Sequence, residues 1–134
     1  MFFIKNFDIN KFSKFKKKIK SIKKIQARNS SLKVFVPKGD MRLLKKRGIR
    51  NVFEFGWWDS KQLDNVDFIF TPAQHWSGRG VFDRNKSWWG GWLIKTKLKS
   101  IFHAGDTGYS NDFKVIKEKL GIPDFAFIPI GAYD

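Results

Sequence analysis

Residues 68–109, FIFTPAQHWSGRGVFDRNKSWWGGWLIKTKLKSIFHAGDTGY, hold three apolar runs that each close on polar residues. Phe68-Ile69-Phe70 leads into Thr71-Pro72 and then His75. Trp92-Leu93-Ile94 leads into lysine-rich turn material, and Ile101-Phe102-His103-Ala104 leads into Gly105-Asp106-Thr107-Gly108. Short apolar runs bounded by turn residues predict strands. A histidine beyond one strand end and an aspartate beyond another meet where neighbouring strand ends converge, a common way for a sheet to build a metal or catalytic site.

Working outward, Trp88 to Lys97 reads as an antiparallel strand with Gly90-Gly91 as a bulge or close-approach point. Asn111 to Leu120 reads as a helix ended by Gly121 and Pro123, and Phe125 to Ile130 (FAFIPI) as a further core strand. Upstream, Leu32 to Val36 reads as a strand stopped by Pro37. Asp40 is the expected cap of a short helix from Met41 to Arg47, closed by Gly48, and Ile49 to Phe55 is the next strand. That strand–helix–strand unit has about the minimum length of a parallel crossover. Gly56 to Asp59 turns the chain into a polar loop before Val66 to Phe70.

Asn10 to Ala27 predicts a helix, with Phe12, Phe15, Ile19, Ile22 and Ile25 on one face and lysines on the rest. Two readings stand for it: a surface helix laid on a sheet, or a basic amphipathic helix on anionic lipid or nucleic acid. The net charge of +15 is segregated, with 17 Lys and Arg against two acids in residues 1–50 and ten of each sign in residues 51–134. All the excess charge therefore lies in the first third of the chain, which argues against a general nucleic-acid binder. No cysteine is present, so any metal must be held by His, Asp or Glu. No apolar run approaches a membrane span and the N-terminus lacks the marks of a secretory leader, so the expected location is cytoplasmic.

Several residues carry more than one reading. His75 is a metal ligand or a packed or surface histidine, Asp106 a ligand or the cap of the following helix, and His103 a core or sheet-face histidine. Arg79 and Arg84, with Ser77 and Lys86, either bind a phosphate or form a solvated loop with Asp83. The six tryptophans, Trp76 among them, exceed what a core of this size absorbs, and several should line a groove for an apolar or interfacial substrate.

Taken together, the blocks VFVPKGD, GIRNVFEFGWWDS, FIFTPAQHWSGRGVFDRNKSWWGGWLI, IFHAGDTGY and FAFIPIGAYD resemble the metallo-β-lactamase superfamily. Within it they look like the N-acylphosphatidylethanolamine-hydrolysing phospholipase D group and its bacterial relatives. The resemblance covers residues 32–134, with residues 1–31 left as a basic amphipathic helix segment. It implies an α/β (α+β) chain forming part of an αββα sandwich, with two metal ions, usually zinc, at one edge. His75 matches the later histidine of the family site, Asp106 the bridging aspartate, and Arg79, Arg84 and Trp76 lie where substrate contacts would be. The family's His-x-His-x-Asp-His motif has no counterpart in the sequence.

The chain is therefore expected to be an internal fragment of a phosphodiester hydrolase, inactive alone and unable to hold both metals. Its expected partners are phospholipid or a membrane surface, which would make it peripheral to the membrane, and a complementary chain carrying the missing motifs. The alternative is a non-catalytic basic module that binds anionic lipid or nucleic acid through the lysine-rich helix.

Overall fold

The apolar run that ends at Pro37 becomes the middle strand of a small parallel sheet. In the computed structural model, which describes residues 2–3, 12–75 and 88–130, the first elements are β1 (Phe2–Phe3), α1 (Phe12–Arg28), β2 (Val34–Pro37), α2 (Met41–Lys46) and β3 (Val52–Phe55). Strand order is β1-β2-β3, with Val34 opposite Val52 and Pro37 opposite Phe55, as the crossover reading expects. Alternation along β2 splits its side chains between two faces. Val34 and Val36 join Ile19, Ile22, Leu32, Leu44, Ile49 and Val52 in one buried cluster, so α1 and α2 cover the same face. Phe35 points the other way, against Phe53 at 5.9 Å and Phe55 at 4.8 Å.

Helix α1 follows the expected spacing, with Ile19 and Ile22 buried and Lys17, Lys20 and Lys24 exposed. The side chains of Phe12 and Phe15 lie outside the described residues, and Ile25 is exposed. Helix α2 ends as Gly48 predicts. The Gly48 amide donates to the Lys45 carbonyl and the Ile49 amide to the Leu44 carbonyl, the paired bonds of a Schellman stop, with Ile49 buried beside Leu44.

Its start departs from expectation. Asp40 is 1 % exposed but makes no capping bond to α2. Glu54 of β3 does that work instead, its Oε1 accepting the Gly39 amide at 3.0 Å and the Met41 amide at 2.7 Å. A carboxylate at a helix start satisfies orphan donors and opposes the helix dipole.

The remaining elements are β4 (Ser60–Leu63), β5 (Val66–Thr71), β6 (Gly91–Lys95), β7 (Ser100–His103), α3 (Asp112–Leu120) and β8 (Phe125–Phe127). They form a five-stranded sheet ordered β4-β5-β6-β7-β8, antiparallel except for the β7–β8 pair. Strand β4 was expected to be loop. It pairs with β5 through a two-residue connection in which Asp64 takes a φ of 53°.

Strand β8 was expected to be a core strand running to Ile130. It is three residues long, lies at the sheet edge, and leaves Phe125 and Phe127 56 % and 61 % exposed. Leu93, Phe102, Ala104 and Ile116 form the buried cluster beneath α3, with Phe113 edge-on to Phe102. Asp124 fastens the start of β8 to the β6–β7 turn. It accepts from Lys99 Nζ at 2.9 Å and from the Ser100 amide and hydroxyl at 2.8 and 2.9 Å. The Lys99 ammonium, then the two Ser100 donors, lower its carboxyl from 3.8 to about 2.

By contact density the chain divides into two compact units, one of residues 1–56 with 76–88, the other of residues 57–75 with 89–134. Among the described residues no helix is long and apolar enough to cross a membrane.

Candidate metal centre

The five-stranded sheet brings the two proposed ligands to one edge. β5 and β7 each run antiparallel to β6, so they are parallel to one another and their C-terminal ends share an edge. His75 lies four residues beyond the end of β5 and Asp106 three beyond the end of β7, both exposed.

Backbone bonds tie the two exits together. Gln74 and Gly108 form an isolated antiparallel bridge, with the Gly108 amide donating to the Gln74 carbonyl at 2.9 Å. The Gln74 amide in turn donates to Thr107 Oγ1 at 3.0 Å. His75 and Asp106 thus follow and precede residues that are hydrogen-bonded to each other.

The Asp106 turn is shaped by what surrounds it. Gly105 has a φ of 77°, and a Cβ there would sit 2.6 Å from the Gly90 carbonyl oxygen. Gly90 is equally confined, since its Cβ would meet the Thr71 carbonyl oxygen at 2.1 Å. The close approach expected at Gly90-Gly91 is therefore present, and only glycine permits β6 to pass the exits of β5 and β7 this closely.

His103, half-buried in β7, accepts the Gly105 amide through Nδ1 at 3.0 Å, which leaves the proton on Nε2. Its ring lies 6.4 Å from Phe127. This agrees with the sheet-face reading and gives the residue a task that the sequence did not suggest, holding the turn that carries Asp106.

At the start of α3 the hydroxyl of Ser110 accepts the Asp112 amide at 3.2 Å, and Asn111 makes no side-chain capping bond. Thr71, at the end of β5, is fully buried, and its Oγ1 has no hydrogen-bond partner among the described residues.

Trp89 anchors the same region, its Nε1 donating to the Ala73 carbonyl at 2.9 Å and its carbonyl accepting Trp57 Nε1 at 2.6 Å. The two rings meet edge to face with centroids 5.7 Å apart. Trp92 is core, and Trp57 is 36 % exposed. Trp58 lies under the Lys119 ammonium, 5.3 Å from its centroid. Trp76, Arg79 and Arg84, with Ser77, Asp83 and Lys86, lie outside the described residues.

An imidazole and a carboxylate suit zinc, iron or manganese. Among the described residues, however, no three His, Cys, Asp or Glu side chains come together as a metal site. The donors that the chain places at this edge fit part of a metal shell and do not close one.

The sequence matches the family model described as the beta-lactamase superfamily domain over residues 17–134. It is similar to the mitochondrial N-acyl-phosphatidylethanolamine-hydrolyzing phospholipase D of Saccharomyces cerevisiae, 43% identical over 105 residues that cover 73% of this chain and 22% of that protein. It is also 36% identical over 124 residues to N-acyl-phosphatidylethanolamine-hydrolyzing phospholipase D 1 of Caenorhabditis elegans, covering 85% of this chain and 35% of the relative.

Among solved structures, a possible metal-dependent hydrolase from Veillonella parvula superposes with a TM-score of 0.56 at 17% identity, covering 72% of this chain and 38% of that one. CmlA, a diiron beta-hydroxylase from Streptomyces venezuelae, gives a TM-score of 0.56 at 22% identity over 72% of this chain and 20% of its own. Those two likenesses concern the fold. The chain spans about a fifth to a third of the length of the curated relatives described here.

Proposed function

The chain belongs to the beta-lactamase superfamily domain family, and from that membership we propose that it contributes to a metal-dependent phosphodiester hydrolase of the N-acylphosphatidylethanolamine phospholipase D type. The observation that carries the reading is the link between Gln74 and Thr107-Gly108, which holds His75 and Asp106 on adjacent loops. The names of the S. cerevisiae and C. elegans relatives supply the substrate class. The family setting does not favour the rival reading as a non-catalytic basic module.

In this proposal His75 supplies a neutral imidazole nitrogen and Asp106 a carboxylate with two donor oxygens, to two ions that are zinc or another divalent transition metal. Metals so held would activate water and offset charge on the phosphodiester. Gly105 and His103 fix the turn that presents Asp106, while Thr107 fixes the backbone beside His75. Arg79 and Arg84 are proposed phosphate contacts and Trp76 part of a lipid-facing rim. Because one histidine and one aspartate do not enclose two metals, the remaining donors come from complementary polypeptide. The proposed setting is cytoplasmic, at the face of a membrane.

Complementation tests this. A version of the C. elegans relative lacking the segment aligned with this chain is mixed either with its own segment or with this chain, and hydrolysis of N-acylphosphatidylethanolamine is followed with and without chelator. The expected result is chelator-sensitive hydrolysis with either segment, lost when His75→Ala is introduced here. Activity restored by the relative's own segment but never by this chain would overturn the reading.

A further inference from the structure

The cationic surface of the first unit faces away from its core as one layer. On α1, Lys17, Lys20, Lys24 and Arg28 recur at steps of three and four and are exposed, on the side opposite Ile19, Ile22 and Gln26, which are buried. On α2, Arg42, Lys45 and Lys46 are exposed, while Leu44 is buried in the cluster that receives α1. The two helices are neighbours at the α2 stop, where Lys23 Nζ lies 3.5 Å from the position a Cβ on Gly48 would occupy. Lys33, Arg47 and Arg50 add exposed cations in the connections.

Little negative charge opposes them. Among the described residues of this unit the acids are Asp40, which is buried, and Glu54, whose Oε1 accepts the amides at the start of α2. The excess of positive charge is therefore presented outward.

We propose that this α1–α2 face docks the chain onto an anionic phospholipid surface, held there by charge alone. Ile19 and Ile22 of the α1 apolar stripe are not available for insertion, because they are already packed with Val34 and Val36. Lysine predominates over arginine on the face, and compact ammonium groups on flexible stems suit the diffuse charge of a lipid headgroup layer. Nucleic acid is less well matched, for among the residues of this unit whose side chains are described none exposes an aromatic ring on the helical layer for bases to stack on. The inference stands apart from the metal-site reading, since the face contains neither His75 nor Asp106.

The test is co-sedimentation of the full chain with vesicles of phosphatidylcholine alone or mixed with phosphatidylglycerol, with chelator present throughout so that no turnover is read. The expected result is binding to the mixed vesicles only, falling steeply with salt. Each lysine near such a surface is worth about a fivefold change in binding. The triple variant K17Q/K20Q/K24Q should therefore lose about a hundredfold, with an unchanged circular dichroism spectrum, whereas K95Q/K97Q/K117Q should bind as the parent does. Equal binding to neutral vesicles, insensitivity to salt, equal loss in both triple variants, or preference for duplex DNA over mixed vesicles of equal total charge would each overturn the proposal. Failure of hydrolysis in the complementation assay would leave it standing.

Discussion

Thr107 Oγ1 accepts the backbone amide of Gln74 at 3.0 Å, one residue from Asp106 on one side and one residue from His75 on the other. Two loops separated by more than thirty residues are thus joined through a single hydroxyl, beside one backbone bond from Gly108 to Gln74.

Removing that hydroxyl should loosen the pair of proposed ligands more than the fold. Thr107→Ala leaves the exposed Gln74 amide to water and should cost about 0.5–1.5 kcal/mol. Zinc affinity of the complemented assembly, read by calorimetry, should fall further in Thr107→Ala than in Thr107→Ser, which keeps the oxygen. Equal affinity in parent and Thr107→Ala would show that the bond does not organise the ligands.

Gly105→Ala should be more damaging than its size suggests. The new methyl would meet the Gly90 carbonyl at 2.6 Å, and the φ of 77° is itself unfavourable for alanine. A loss of about 2 kcal/mol or more is expected in denaturant unfolding. Gly108→Ala, where the nearest atom would be 3.6 Å away, is the matched control.

Glu54→Ala should destabilise α2 although Glu54 lies on a strand. Two amides, of Gly39 and Met41, lose their shared acceptor, for an expected cost of about 1–2 kcal/mol. Hydrogen exchange at those amides should accelerate. If exchange there is unchanged, Glu54 does not cap the helix.

Acid stability offers a further check through Asp124. Its carboxyl titrates at about 2 in the fold against 3.8 ordinarily, so the ionised form is the one the fold favours. Its contribution is complete above the ordinary value and disappears as pH falls toward the folded one. Asp124→Asn should melt below the parent at neutral pH, and the gap should close between about pH 4 and 2. A gap that persists below that window would mean that charge is not the cause.

Much of this architecture is legible in local sequence. The spacing of Ile19 and Ile22, the alternation through Val34 and Val36, and Gly48 after α2 each specify an element through its own neighbours. Strand β4 escaped because Ser60-Lys61-Gln62-Leu63 has weak strand preference, and its partner, not its composition, makes it a strand. Asp64-Asn65 was its one local signal.

The cap of α2 escaped for a related reason, since Glu54 is far along the chain and Asp40 sits at the conventional place. FAFIPI promised burial, yet hydrophobicity alone does not say what covers a strand. At the candidate site, the shared edge of His75 and Asp106 follows from three alternating strands. The Thr107 contact and the role of His103 depend on register and on a turn, which periodicity does not encode.

The division of the chain into units has a consequence for how it can be handled. The chain passes between them three times, since residues 76–88 return to the first unit before the sheet of the second resumes. On that return the Trp88 amide reaches the Lys38 carbonyl at 2.8 Å and Lys38 Nζ lies 5.7 Å above the Trp88 ring. Neither unit corresponds to one uninterrupted stretch of gene. A stop codon after Gly56 would strip the first unit of residues 76–88, and a start at Trp57 would keep them in the middle of the second without the rest of the first. Dissecting this protein calls for point substitutions, because no single cut yields either half whole.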